Sequence, residues 1–224
     1  MIMAFMIPGR SQHMSFVKSW TMVVHYMAKN DITYHLIQKS GGDIYNIRNT
    51  LVSQDLPVPW EMMPVIKGQP YDYLMWIDSD IGGFTWDHIQ KLIDADKDII
   101  TGIVPIGPTE RSAVGQYGED EYGQPVVQYF NLKVLDEQIK KGEIDANEPI
   151  EIGFCGYAFL LVKKGVFEAM EYPWFRYTPK EYAGRWGNMG EDIGWCERAR
   201  ETGFKVWMHP GVKLTHTKEI TLNV

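Results

Sequence analysis

The stretch Tyr73-Leu74-Met75-Trp76-Ile77-Asp78-Ser79-Asp80 constrains the chain more than any other. Five large, mostly apolar residues run without a polar break and stop at two carboxylates one residue apart. A short apolar run of this kind reads as a buried strand of a parallel sheet covered on both faces. Ligands of open α/β sheets bind just beyond the carboxyl ends of the strands, where Asp78 and Asp80 leave the core. Residues two apart in an extended segment project the same way, so both carboxylates can face one ligand. Two hard oxygen anions suit Mg²⁺ or Mn²⁺ shared with substrate phosphates. A helix cap or a turn explains an Asp after a strand equally well, and at this point both readings stand.

The 224 residues are enough for one domain with a proper core. A net charge of −7 argues against a nucleic-acid partner bound through phosphate neutralisation. The only cysteines, Cys155 and Cys196, make no framework, and six scattered histidines lack paired zinc-ligand spacing. The apolar start, Met1 to Ile7, has no basic n-region and stops at Pro8-Gly9-Arg10, so it reads as a first strand rather than a signal peptide. No later apolar run is long enough for a transmembrane segment, and a cytoplasmic, reducing setting is expected. Eight Trp and twelve Tyr are mostly core, but also suit a ligand with flat apolar faces.

From the amino terminus, 2–7 reads as a strand and 14–29 as an amphipathic helix, with Phe16, Trp20, Val23, Val24 and Met27 at helical spacing. Thr33–Lys39 reads as a second strand. Asp43 is placed to cap a helix over 44–53 with Ile44, Ile47 and Leu51 inward. Arg48 on that helix either reaches a diphosphate with its planar fork or makes an ordinary surface ion pair. Four prolines make 55–70 irregular. Gly82-Gly83 permit a tight turn, Thr85 caps a helix over 86–95, and 98–104 is the next strand. The order β-α-β-α-β-α-β implies a mainly parallel sheet with right-handed crossovers.

Beyond residue 104 the pattern changes. Residues 114–127 suggest a hairpin with a polar tip, and 136–148 a solvated helix and loop without chemistry. Ile150–Val162 returns to strand character, with Gly153 and Gly156 allowing close backbone approach. Residues 166–170 make a brief helix. The aromatic, Pro- and Gly-rich stretch 172–189 reads as a loop that packs Trp174 and Phe175 onto the core and leaves Trp186 free for a ligand. Gly190-Glu191-Asp192 opens a helix with Trp195 and Ala199 one turn apart, ended by Gly203. Carboxylates in its first turn suit the helix dipole, which is a purely structural explanation for both. After the strand 205–208, His216 alternates with Val212 and Leu214, as a core histidine would.

Taken together, Ile44-x-x-x-Arg48-Asn49, Ile77-Asp78-Ser79-Asp80, the strand Gly156–Val162 followed by Pro173-Trp174-Phe175, and Gly190–Ala199 with the later His216 resemble the nucleotide-sugar-dependent glycosyltransferases of the GT-A fold. The short stand-alone members related to family 2 are the nearest in kind. The likeness spans nearly the whole chain except about 105–150. It implies an α/β, Rossmann-like single domain over 1–224, with a mainly parallel central sheet flanked by helices and a small antiparallel part. It divides that domain into a nucleotide-sugar-binding half (1–104), a variable insertion (105–149) and an acceptor and catalytic half (150–224).

The resemblance also implies roles. Asp80 would ligate Mn²⁺ or Mg²⁺, with His216 as a further ligand and Asp78 holding the donor or the metal through water. Pro8, Ser40, Arg48 and Ser79 would complete the grip on the nucleotide-sugar donor, and the prevalence of UDP donors in the family implies a UDP-hexose. Asp192 would be the general base, Glu191 its neighbour, and Gly156 and Trp186 would meet a carbohydrate or other hydroxyl acceptor. Inversion is favoured, though retention stays open. Metal-bound acids that neutralise a leaving diphosphate, plus a separate carboxylate for the incoming hydroxyl, are the minimum such a reaction needs. Gly184, Gly187 and Gly190 would let the loop before Asp192 order over donor.

Competing readings lack parts. A nucleotidyltransferase would carry a glycine-rich basic first loop, where only Pro8-Gly9-Arg10 is found. A haloacid-dehalogenase-like phosphatase wants Thr or Val where Gly82 stands. A non-catalytic sugar- or nucleotide-binding protein needs neither Asp192 nor a metal-ready pair.

Overall fold

A computed structural model describes residues 1–107, 109–123, 125–182 and 185–218, without the side chains of Pro125, Tyr182, Arg185 and Trp186. In chain order the elements begin β1 (Ile2–Pro8), α1 (Met14–Lys29), β2 (Thr33–Lys39), α2 (Ile44–Ser53), β3 (Tyr73–Ile77), β4 (Ile81–Gly82), α3 (Trp86–Asp94) and β5 (Ile99–Ile103). They continue β6 (Arg111–Glu119), β7 (Pro125–Asn131), α4 (Leu132–Lys140), β8 (Ile150–Ile152), β9 (Phe154–Cys155) and β10 (Phe159–Lys163). The last are α5 (Val166–Ala169), β11 (Thr178–Tyr182), β12 (Arg185–Met189), α6 (Glu191–Glu201), β13 (Val206–Lys213) and β14 (Thr215–His216).

A seven-stranded sheet in the order β2-β1-β3-β10-β5-β13-β8 forms the centre. β1 pairs in parallel with β2 and β3, and β5 with β13. β10 runs antiparallel between β3 and β5, and β8 antiparallel along β13. The sheet is therefore mainly parallel, as expected, but a strand from the carboxyl-terminal third is threaded through its middle.

The apolar run of β3 shows why both faces are covered. Leu74 and Trp76 enter one core cluster, Met75 and Ile77 the other, as side chains alternate along a strand. α1 and α3 cover one face with Phe16, Val23, Met27, Ile89 and Leu92. Leu51 and Val52 of α2, with Trp195, Cys196 and Ala199 of α6, cover the other. Each fully buried large apolar side chain adds about 1.5–3 kcal/mol. Trp76, Tyr157 and Trp195 meet edge to face at 5.0 and 5.2 Å.

Several expectations are refined. Ile150–Val162 is three short strands, because Gly153 and Gly156 let the chain pass close to Tyr117 and Ala113. The helix expected over 136–148 is α4, which starts at Leu132 under an Asn131 cap. Gly82 lies in a two-residue strand, while Gly83 takes the left-handed turn at φ +71°. The loop expected over 172–189 contains the hairpin β11–β12, whose backbone pairing (Thr178 with Met189 to Tyr182 with Arg185) was hidden by its Pro and Gly content. Trp174 and Phe175 do pack down, both 1% exposed. Among the described residues no helix is long and apolar enough to cross a membrane.

Candidate active site

The ends of β3 and β5 meet the start of α6 around a cavity of about 280 Å³. Arg48, Asp78, Gly156, Glu191, Asp192 and His216 all line it, although they come from five separated stretches of sequence.

The two carboxylates after β3 part company. The Asp78 N–H donates to the Ala158 carbonyl, and the chain then turns so that Ile81 N–H reaches back to the Asp78 carbonyl at 3.1 Å. Strand geometry ends at Ile77, so the two side chains no longer project alike. Asp78 faces the cavity, whereas Asp80 and Ser79 line a neighbouring open cleft of about 570 Å³ with Ser11, His13 and Lys218. Gly9 shapes this cleft. It has φ +132°, and a Cβ there would lie 2.4 Å from Ser79 Oγ.

Arg48 is neither at the surface nor free. It is 4% exposed, its Nε donates to Glu191 Oε1 at 3.2 Å, and its Nη2 lies 3.9 Å from Asp78 Oδ1. Its guanidinium sits 4.6 Å from the Tyr157 ring centre and 5.5 Å from that of Trp76. The planar, weakly hydrated guanidinium tolerates such a place better than an ammonium would. Asp78 Oδ1 and Arg48 Nη1 are buried without a hydrogen-bond partner among the described residues. Burial raises the Asp78 pKa, with Arg48 acting the other way. Asn49, next on the helix, grips the Phe175 backbone from both sides at 2.6 and 3.0 Å, tying α2 to the segment before β11.

Asp192 stands in the first turn of α6. The Ile193 N–H donates to its Oδ1 at 2.7 Å. Gly156 leaves room beside its Oδ2, since a Cβ there would come within 3.6 Å. Burial, and then the charge of Glu191, push its pKa up to about 6. One turn on, Cys196 Sγ lies 3.9 Å from Cys155 Sγ behind the cavity, both thiols free and buried.

His216 is delivered by the small ladder in which it pairs with Ile81. Its Nδ1 meets the Pro105 carbonyl at 2.8 Å, and its Nε2 meets Asp80 Oδ2 at 3.0 Å. Lys218 Nζ donates to the same oxygen at 2.7 Å. Burial works against the Asp80 charge, but Lys218 and His216 outweigh it and lower its pKa. Among the described residues no group of three or more His, Cys, Asp or Glu gathers as a metal cluster. Asp80 and His216 form a pair, and Asp78 Oδ1 faces Arg48 instead. The pair fits a hard divalent ion: a ligating histidine commonly donates its other N–H to a backbone carbonyl, as Nδ1 is placed to do. Among the described residues that line the cavity and the cleft, Asp78, Asp80, Glu191 and Asp192 stand against Arg48 and Lys218, a balance that favours positive charge.

The remaining expected residues stand elsewhere. Pro8 is buried at the end of β1 and Ser40 is exposed after β2; neither lines the cavity or the cleft. The side chain of Trp186, and Gly184, lie outside the described residues. Lys218 and Tyr129 were not singled out in the sequence, and no local pattern marks either one. Tyr157 lay inside a recognised motif, but its stacking under Arg48 is a tertiary fact.

No protein-family model matches the chain, and no curated protein matches it either. Solved structures do. A197 from STIV shares 14% identity over 100% of this chain and 98% of its own, with a TM-score of 0.55. GalNAc-T7, solved with UDP, GalNAc and Mn²⁺, shares 12% identity over 96% of this chain, at a TM-score of 0.53. This chain spans only 43% of GalNAc-T7. The architecture is the GT-A fold.

Proposed function

We propose that this chain, with its GT-A fold, is a metal-dependent hexosyltransferase that moves a sugar from a UDP-sugar to a hydroxyl acceptor with inversion. The observation that carries the reading is the meeting of Asp192, oriented by the Ile193 N–H and with a pKa near 6, and the Arg48–Asp78–Glu191 network around one cavity. Such a carboxylate is charged at neutral pH and basic enough to assist an alcohol. The shared fold with GalNAc-T7, which binds UDP, GalNAc and Mn²⁺, supports the donor class by analogy of fold.

In this reading the nucleotide lies in the cleft beside Ser79 and Asp80, and its sugar reaches the cavity. Asp80 and His216 would hold Mn²⁺ or Mg²⁺, which would supply Lewis acidity toward the leaving diphosphate. Asp78 and Arg48, each with a buried atom that has no partner among the described residues, would bind hydroxyl groups of the sugar. Asp192 Oδ2 takes the proton of the acceptor hydroxyl as its oxygen bonds to the anomeric carbon. The bond from that carbon to the diphosphate oxygen breaks, and the electron pair leaves with the diphosphate. Glu191 holds Arg48 beside the reacting centre, and Gly156 gives the acceptor room next to Asp192.

The test is thermal-shift screening of UDP-glucose, UDP-galactose, UDP-GlcNAc, UDP-GalNAc and GDP-mannose with and without Mn²⁺. Ligand at a hundredfold excess over its Kd stabilises by about 2.7 kcal/mol. One donor with a Mn²⁺-dependent shift is expected. A folded sample that no donor shifts would return the phosphatase or the non-catalytic reading.

A further inference from the structure

The 105–149 segment, which the sequence left without chemistry, builds a second cavity. Its hairpin β6–β7 joins β9 as a three-stranded antiparallel sheet, and α4 closes the outer side. The cavity between them holds about 320 Å³. Tyr129 lines both this cavity and the one that contains Asp192, and its ring packs edge to face on Phe154 at 5.2 Å. The two spaces are thus neighbours across one aromatic side chain.

The chemistry of the two differs sharply. The first is surrounded by carboxylates and Arg48. Among the described residues no Asp, Glu, Lys, Arg or His lines the second, in a chain with 23% charged residues. Its floor is apolar, with Leu135 and Met208 at 4% and 1% exposure. Four side-chain amides, Gln116, Gln128, Asn131 and Gln138, share its walls. Gln116 donates to the Glu151 carbonyl and Asn131 caps α4. Gln138 is half-buried and Gln128 exposed, and neither side chain has a hydrogen-bond partner among the described residues.

An apolar floor, an aromatic wall and uncommitted amides match one ligand chemistry, a neutral sugar. Its ring carbons pack on Tyr129 and the floor, and its hydroxyl groups satisfy both ends of an amide. A hydrocarbon chain would bury those amides unpaired, which is costly. We propose that the second cavity is a subsite for a neutral oligosaccharide acceptor. The terminal sugar would lie beside Asp192 and the next one past Tyr129. This rests on the transferase reading and names its acceptor class.

The full chain would be assayed with the donor found by thermal shift, against matched neutral probes. These are a panel of monosaccharides as methyl glycosides, their octyl glycosides, and malto-, cello-, chito- and xylotriose. For the accepted sugar, the trisaccharide should show kcat/KM at least about tenfold above the methyl glycoside, mainly through KM. Val134→Trp, at a 52% exposed position on the cavity wall, should cancel that gain without affecting the methyl glycoside. Gln138→Leu should do the same in part. Equal kcat/KM for trisaccharide and methyl glycoside overturns the proposal. So does a gain with the octyl glycoside that matches the trisaccharide, which would assign the cavity to an apolar aglycone. Should no donor bind, the transferase reading fails separately. Saturation-transfer NMR with the same trisaccharides then tests the cavity, with binding lost in Val134→Trp expected and absence of binding overturning it.

Discussion

His216 Nε2 lies 3.0 Å from Asp80 Oδ2 while its Nδ1 meets the Pro105 carbonyl. A carbonyl only accepts, so Nδ1 carries the hydrogen and Nε2 is the atom turned to the carboxylate. A neutral imidazole in that tautomer sets a lone pair against an anion. A proton or a metal cation between the two removes the conflict. Lys218 offers its charge to the same oxygen from the side.

Metal affinity should therefore move in opposite directions in two variants. Lys218→Ala removes a cation that competes for Asp80 and should tighten Mn²⁺ binding several-fold, on the order of 1 kcal/mol for an ion pair this exposed. His216→Ala should weaken it at least about tenfold, since even partners behind a ligand are worth that much. Electron paramagnetic resonance titration of Mn²⁺ without nucleotide reads both. Equal affinity in all three proteins would remove the pair as a metal site.

Asp192 links activity to stability with opposite signs. Its native pKa near 6 lies above the unfolded value of about 3.9, so the native state binds more protons between them. Its contribution to stability is full below pH about 4 and is lost as pH rises through 6. Transfer needs the ionised form and should rise over the same limb. Asp192→Asn should keep metal-dependent donor binding, lose transfer by at least about 100-fold, and flatten the stability profile between pH 4 and 6. Urea unfolding across pH with a transfer assay checks both. Normal turnover in that variant would end its role as base.

Much of this architecture was legible because local periodicity and the core agree. Phe16, Val23 and Met27 recur at helical spacing, and all three are buried on α1. The Asp43 cap formed as expected because it depends only on the next turn, where its side chain accepts from Asn46 N–H. What could not be read is what long-range pairing decides. Arg48 meets Glu191 across 143 residues, a distance no helical pattern encodes. The same holds for β10, whose apolar sequence suits a central strand in either direction. In the hairpin β11–β12, strand pairing overrides local turn preferences. The divergence of Asp78 from Asp80 depends on a turn that an extended reading cannot anticipate.

Arg48→Met tests the network from its centre. The apolar replacement fills much of the space between Tyr157 and Trp76 but leaves Glu191 and Asp78 without their cation. Breaking a buried pair from one side costs about 3–5 kcal/mol. Arg48 also lowers the Asp192 pKa, so its loss should move the acidic limb of the transfer rate above pH 6. Urea unfolding and the pH–rate profile are the measurements. An unchanged midpoint together with an unchanged limb would show that the guanidinium does not hold these carboxylates.

Gly115 asks whether the second cavity depends on how closely β6 and β7 approach. A Cβ at this residue would stand 2.3 Å from the Gln128 carbonyl oxygen and 2.6 Å from the Phe154 ring. The oxygen belongs to the paired strand, so relief requires the hairpin itself to shift. Gly115→Ala should destabilise by about 1–3 kcal/mol, as overpacking does. Because Gln128 and Tyr129 ride on β7, it should also raise KM for an oligosaccharide acceptor. Gly187→Ala is the control, for a Cβ there meets nothing within 4 Å. Its stability should change by no more than about 1 kcal/mol, since removing a glycine also restricts the unfolded chain. Urea midpoints for the two variants separate a packing cost from a general glycine effect. Equal midpoints would mean that the strands part without strain, and the hairpin would then be too compliant to hold a sugar in place.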